Sequence, residues 1–161
     1  MEKDLHILVK APLFMSRQQI EAFVQKHELW IEKHLRLQQE RQANARTLTP
    51  QEQETLAAKA RKMAEKGFQK YAPLMHVTPA GLKITSAVTR WGSCSGKNSI
   101  CFSYRIALLP QEAADYIIVH ELAHILQKNH GPHFYAEVAK ILPDYKKRIS
   151  ILKQAALKLG L

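Results

Sequence analysis

Cysteine is scarce in this 161-residue chain, which has only Cys94 and Cys101. Two thiols in a chain of this size make no disulfide framework. They also lack the close pairing of zinc-ribbon cysteines, so they read as structural or incidental. No stretch approaches the roughly 18 uninterrupted apolar residues of a membrane span. The opening MEKDLHILVKAP has acids near its start and only a few apolar residues in a row. It lacks the basic region, apolar core and small-residue cleavage site of a secretory signal, and the expectation is a cytoplasmic protein. There is no internal repeat and no low-complexity tract.

Negative charge is also in short supply. Fourteen Asp and Glu stand against 24 Lys and Arg, for a formal net charge of +10. Such an excess favours polyanions through phosphate contacts and counterion release, so proximity to nucleic acid is one reading. The plainer one is that lysines and arginines solvate helix faces. What is present suffices for a core: 46% of residues are hydrophobic, enough for one domain, or one domain with an appendage, without covalent staples.

Residues 4–10 read as a short strand ending at Ala11-Pro12. Ser16 with Gln19 forms a capping-box signature. Ile20, Phe23, Val24, Trp30, Ile31 and Leu35 then recur at helical spacing, predicting a helix from 17 to about 40. A polar stretch follows, as linker or helix extension, before Thr49-Pro50-Gln51-Glu52 restarts a helix with cap, proline and reciprocal cap in order. Leu56, Ala60, Met63, Ala64 and Phe68 carry its apolar face toward Tyr71. Alternation of Leu82, Ile84 and Val88, a turn at 96–98 and the β-branched and aromatic run after it predict a β-hairpin. Pro110 opens another helix, broken at Asn129-His130-Gly131. Pro132 starts a short one that Pro143 ends, and the last helix carries Ile149, Leu152, Ala156 and Leu159 on one stripe.

The chemistry concentrates in His120-Glu121-Leu122-Ala123-His124. Residues four apart on a helix lie one turn above each other, so two imidazoles there can bind one Zn²⁺. Glu121, beside the first ligand, can then serve as general base toward a metal-activated water. The alternative is two histidines that merely happen to share a helix face. A catalytic zinc takes three protein ligands and keeps one position open. His130 and His133, just past the helix, are the candidates for the third, and spacing favours His130.

Four segments in order, TRWGSCS at 89–95, DYIIVHELAH at 115–124, NHGPHFY at 129–135 and PDYKKR at 143–148, resemble the YgjP-like zinc metallopeptidases, relatives of the SprT-like and Wss1-like proteases. VKAP at 9–12 and WIEKHL at 30–35 are similar to the end of that family's N-terminal region, and the N-terminal sheet is therefore expected to be truncated. The resemblance implies an α+β, zincin-like fold, with a small antiparallel sheet packed on an active-site helix and flanking N- and C-terminal helices. It implies residues 1–48 as an N-terminal strand and helix and 49–161 as the metallopeptidase domain. It assigns one zinc per chain to His120, His124 and His130, with Glu121 catalytic. The strand at Trp91-Gly92-Ser93-Cys94 corresponds to an edge beside the active site, able to pair with an extended substrate. Arg90 or Ser93 is then a candidate to polarise the carbonyl. The bland alternative makes Trp91 a core anchor and Gly92 a strand kink. Asp115, Glu137 and Asp144 are the acids near enough in sequence to orient a ligand. Tyr145 is either a transition-state donor or packing beside a capping Asp144.

The expected function is zinc-dependent hydrolysis of peptide bonds, on a protein or peptide substrate. Two alternatives stand beside it: a non-enzymatic zinc module that binds nucleic acid or protein, and a zinc hydrolase for another acyl group. A fourth, closing ligand such as Cys94 or Cys101 would favour the module.

Overall fold

A computed structural model describes residues 7–44 and 48–159. The chain divides into two compact units, Met1–Arg46 with Leu157–Gly160, and Thr47–Ala156 with Leu161.

In the first unit, Ser16 caps α1 (Arg17–Lys26) as a capping box, its side chain taking the Gln19 N–H while the Gln19 side chain takes the Ser16 N–H. The long helix expected over 17–40 is two helices. At His27 the backbone leaves helical geometry (φ −109°, ψ 12°). Its N–H bonds Val24 O at 3.0 Å, one residue short of the α-helical partner. Its carbonyl then accepts the Ile31 N–H, starting α2 (Glu28–Asn44). Helical periodicity carries across such a tightened turn, which is why apolar spacing alone missed it. The polar stretch after residue 38 continues α2 to Asn44. Residues 7–10 form no strand, contrary to expectation, and positions 4–6 lie outside the described residues.

The second unit is built on α3 (Pro50–Tyr71), whose Thr49–Glu52 capping box and leading proline match the sequence signature. The sheet holds β1 (Gly81–Thr85), β2 (Gly92–Cys94) and β3 (Ser99–Ser103) in the order β1-β3-β2. Of the expected hairpin, the turn and second arm stand, as β2 and β3 closed at Ser95–Asn98, where Asn98 adopts φ 60°, a conformation asparagine tolerates. Its first arm is corrected: Leu82 and Ile84 belong to the separate strand β1, and Val88 lies in no strand. The purely antiparallel sheet expected from sequence is corrected: β1 pairs with β3 in parallel. Alternating strands look the same in either direction, so only the connection decides. Here the chain passes β3's place, forms β2, and turns back to fill the gap.

A 3₁₀ turn at Tyr104–Leu108 leads to α4 (Gln111–Leu126), followed by α5 (Pro132–Ile141) and α6 (Tyr145–Lys158). Both prolines stand where expected, Pro110 before α4 and Pro132 at the first turn of α5. Ala113, Ala114, Ile117, Ile118, Val119, Leu122 and Ala123 are all buried, as a helix apolar on every side requires. It crosses α3 closely at Gly67, where a Cβ would fall 2.7 Å from Ile118 Cδ1. Phe102, Phe134, Ile100 and Ile106 complete the core. Among the described residues no helix is long and apolar enough to cross a membrane.

Candidate metal centre

Burial of α4 leaves its second half facing a cleft of about 300 Å³ against β2. His120, Glu121 and His124 enter it from α4, Gly92, Ser93 and Cys94 from β2, and Lys128 and His130 from the loop beyond the helix. Helix α4 stops at Leu126, and Gln127 turns into extended backbone (φ −132°, ψ 109°). That reversal brings His130 back over the two helical histidines.

The three imidazoles converge through one kind of nitrogen. His130 Nε2 lies 3.0 Å from His120 Nε2 and 3.1 Å from His124 Nε2. His124 Nδ1 is 3.1 Å from Gln127 O. A carbonyl can only accept, so the proton of His124 sits on Nδ1 and its Nε2 lone pair points inward. His120 Nδ1 meets Tyr116 Oη at 3.3 Å, which holds its Nε2 inward as well. Burial, then the neighbouring His124 and His130, pushes the His120 pKa down to about 4. Burial first also lowers His124. Both are therefore neutral near pH 7, the form that binds metal.

These nitrogens fit a tetrahedral divalent ion. Two ligand atoms about 2.05 Å from zinc stand roughly 3.3 Å apart at tetrahedral angles, close to the spacings here. His120, His124 and His130 are the one such cluster of three among the described residues. His133, the other sequence candidate, is exposed in the first turn of α5 and does not belong to it.

Glu121 is only 5% exposed, and its Oε2 has no hydrogen-bond partner. Burial pushes its pKa up to about 7, against a smaller lowering by Arg90. An uncompensated buried carboxylate at the mouth of a histidine cluster marks a functional arrangement far more often than a structural one. Gly92 makes room for it: a Cβ there would lie 2.7 Å from Glu121 Oε1 and 2.8 Å from its Cγ.

Two residues escaped the sequence reading. The Phe134 ring, fully buried, sits under all three imidazoles with centroids 4.8 Å from His120, 4.6 Å from His124 and 4.8 Å from His130. Its signal was present as the last-but-one residue of NHGPHFY. Tyr116, one turn before His120, carried no signal beyond its spacing. Of the acids proposed to orient a ligand, Asp115 instead takes bonds from Tyr71 and Gln111. Glu137 takes Lys140, and Asp144 takes Arg148. Tyr145 stacks on Tyr135 at 5.8 Å. Trp91 is half-buried, with its carbonyl held by the Ser103 N–H.

No curated protein and no solved structure matches the chain. A family model described as YgjP-like, metallopeptidase domain, matches residues 1–56 and 49–155. With a match over nearly the whole chain, and three histidines gathered where a metallopeptidase needs them, the protein belongs to the YgjP-like family.

Proposed function

We propose that this protein is a zinc metallopeptidase of zincin-like fold, with His120, His124 and His130 as ligands and Glu121 as general base. The observation that carries the reading is the buried, partnerless Glu121 Oε2 beside three converging Nε2 atoms. When bound, zinc supplies Lewis acidity, polarising a carbonyl and bringing the pKa of a water toward neutrality. Glu121 Oε2 is free to take the proton of an attacking water and return it to the leaving amine. A carboxyl whose pKa lies at about 7 is matched to both tasks.

The edge of β2 supports an extended peptide as substrate. Ser103 N bonds Trp91 O and Ser95 N bonds Ser99 O, so in an antiparallel ladder the N–H and C=O of Gly92 and Cys94 point to the open side. A substrate strand can pair there. Arg90, Trp91 and Ser93 are the candidates to hold it or polarise its carbonyl, and Tyr145 is the remaining candidate donor. The metal cluster has three members and no cysteine among the described residues, as an open catalytic site requires.

The deciding measurement is zinc per chain in wild type, Glu121→Gln and His130→Ala, with casein cleavage alongside. One zinc in wild type and Glu121→Gln, little in His130→Ala, and cleavage by wild type alone is the expected pattern. Cleavage that survives in Glu121→Gln would remove the general base from the scheme.

A further inference from the structure

The wall of the cleft carries a fixed positive charge that the hydrolytic chemistry does not use. Lys128 Nζ donates to Asn98 Oδ1 at 2.7 Å and to Ser95 O at 3.2 Å, and stands 3.9 Å from Cys94 Sγ. All three partners are neutral, and no carboxylate pairs with this ammonium among the described residues. A surface lysine ordinarily loses considerable rotamer freedom when it grips a ligand. Here the side chain is already pinned across the cleft from the end of α4 to the β2–β3 turn, so binding an anion costs less ordering.

Its position along β2 matters as much as its charge. Glu121 packs against Gly92, which places the reacting end of the cleft at that residue. Lys128 is anchored at Cys94, the last residue of β2, and at Ser95, the first of the turn, two to three residues beyond Gly92. At about 3.3 Å per strand residue that is roughly 7–10 Å. Glu121 is the cleft's single acidic lining residue, and it is buried beside the histidines. Exposed Arg90, with no ion pair among the described residues, adds a second cation whose field reaches Glu121, though it does not line the cleft.

We infer that Lys128 is a specificity-determining residue, selecting peptides with an Asp or Glu side chain two to three residues from the scissile bond. The inference rests on the peptidase reading and names its substrate class as acidic peptide segments. The chain's net charge of +10 acts in the same direction, raising the rate of encounter with acidic substrates.

The test begins with zinc-loaded wild type and a proteome-derived peptide library, read by mass spectrometry. Cleavage sites with Asp or Glu enriched at one fixed position are the expected result. A pair of fluorescent peptides differing only by Glu or Gln at that position then gives Kd on the Glu121→Gln background. The Glu peptide should bind roughly fivefold tighter, the range of a partly exposed ion pair, and the difference should shrink with added salt. Lys128→Gln, which can still donate to Asn98, should abolish the difference. Lys128→Glu should reverse it in favour of a Lys peptide.

Equal cleavage of acidic and neutral sites overturns the inference and leaves the peptidase reading standing. So does a Glu preference that persists in Lys128→Gln. No cleavage of any library peptide removes both. A single-stranded DNA oligonucleotide that outcompetes the Glu peptide in a Lys128-dependent way would assign the charge to phosphate and overturn the inference.

Discussion

At its first turns α4 presents Asp115, whose carboxylate accepts from Tyr71 Oη at 2.9 Å and Gln111 Nε2 at 2.7 Å and faces Arg148 at 3.8 Å. Less than two turns later the same helix presents Glu121, more deeply buried, with an oxygen that has no hydrogen-bond partner. Both are carboxylates on one rigid helix. One is saturated with donors from α3, α4 and α6. The other has no ion pair among the described residues, and Arg90 only partly offsets the effect of its burial. A buried acid that only has to stabilise a fold acquires partners. An acid left without them, beside three lone pairs crowded to about 3 Å, lowers stability and has to be explained by function.

The largest way to disturb this contrast is to remove the floor under the histidines. Phe134→Ala deletes a fully buried ring and should cost about 3–5 kcal/mol of stability. Thermal melting of the metal-free protein would show it, and zinc stoichiometry should fall in parallel. A variant that melts like wild type would mean the ring is not packed as described.

The two carboxylates should respond to neutralisation with opposite signs. In chelator-stripped protein, burial holds the Glu121 pKa near 7 rather than 4.5. Below pH 4.5 the acid is protonated in folded and unfolded chains alike and carries no penalty. Between pH 4.5 and 7 the unfolded chain gains from ionisation that the fold resists, and above 7 the full cost of roughly 3 kcal/mol is present. Glu121→Gln should therefore stabilise the metal-free protein at pH 8, with the gain fading toward pH 4.5. Asp115→Ala should destabilise it by about 1–3 kcal/mol. Melts across pH 4.5–8 decide the matter, and a destabilising Glu121→Gln at pH 8 would contradict the contrast.

The smallest expected effect belongs to Tyr116→Phe. Removing the hydroxyl at 3.3 Å from His120 Nδ1 frees that ring to change tautomer. Zinc affinity should drop about tenfold with little change in melting temperature. Competition with a chromogenic chelator measures it. Unchanged affinity would assign the orientation of His120 to packing against Phe134 instead.

Much of the architecture could be read from local chemistry. Ser16 with Gln19 and Thr49 with Glu52 marked helix starts because a cap is satisfied within four residues. Pro110, Pro132 and Pro143 bounded helices because proline cannot donate or tolerate the preceding turn. The break at His27 escaped, since it rests on one tightened backbone bond that no side chain announces. Strand direction escaped too: β1 pairs in parallel only because β3 lies between it and β2.

The site divides along the same line. Spacing alone put His120 and His124 on one helical face with Glu121 beside them, because a helix turn is a local rule. Spacing and the family resemblance already favoured His130 over His133, but its approach to the two helical histidines depended on where the chain reverses after Gln127. The clearance at Gly92, the ring of Phe134 and the ammonium of Lys128 depend on residues 29, 14 and 30 positions from their partners Glu121, His120 and Asn98. Hydrogen bonding and periodicity act over a few residues and are written into the chain. Which distant groups share a cleft, and which of them go without a partner, is decided only when the sheet and α4 pack together.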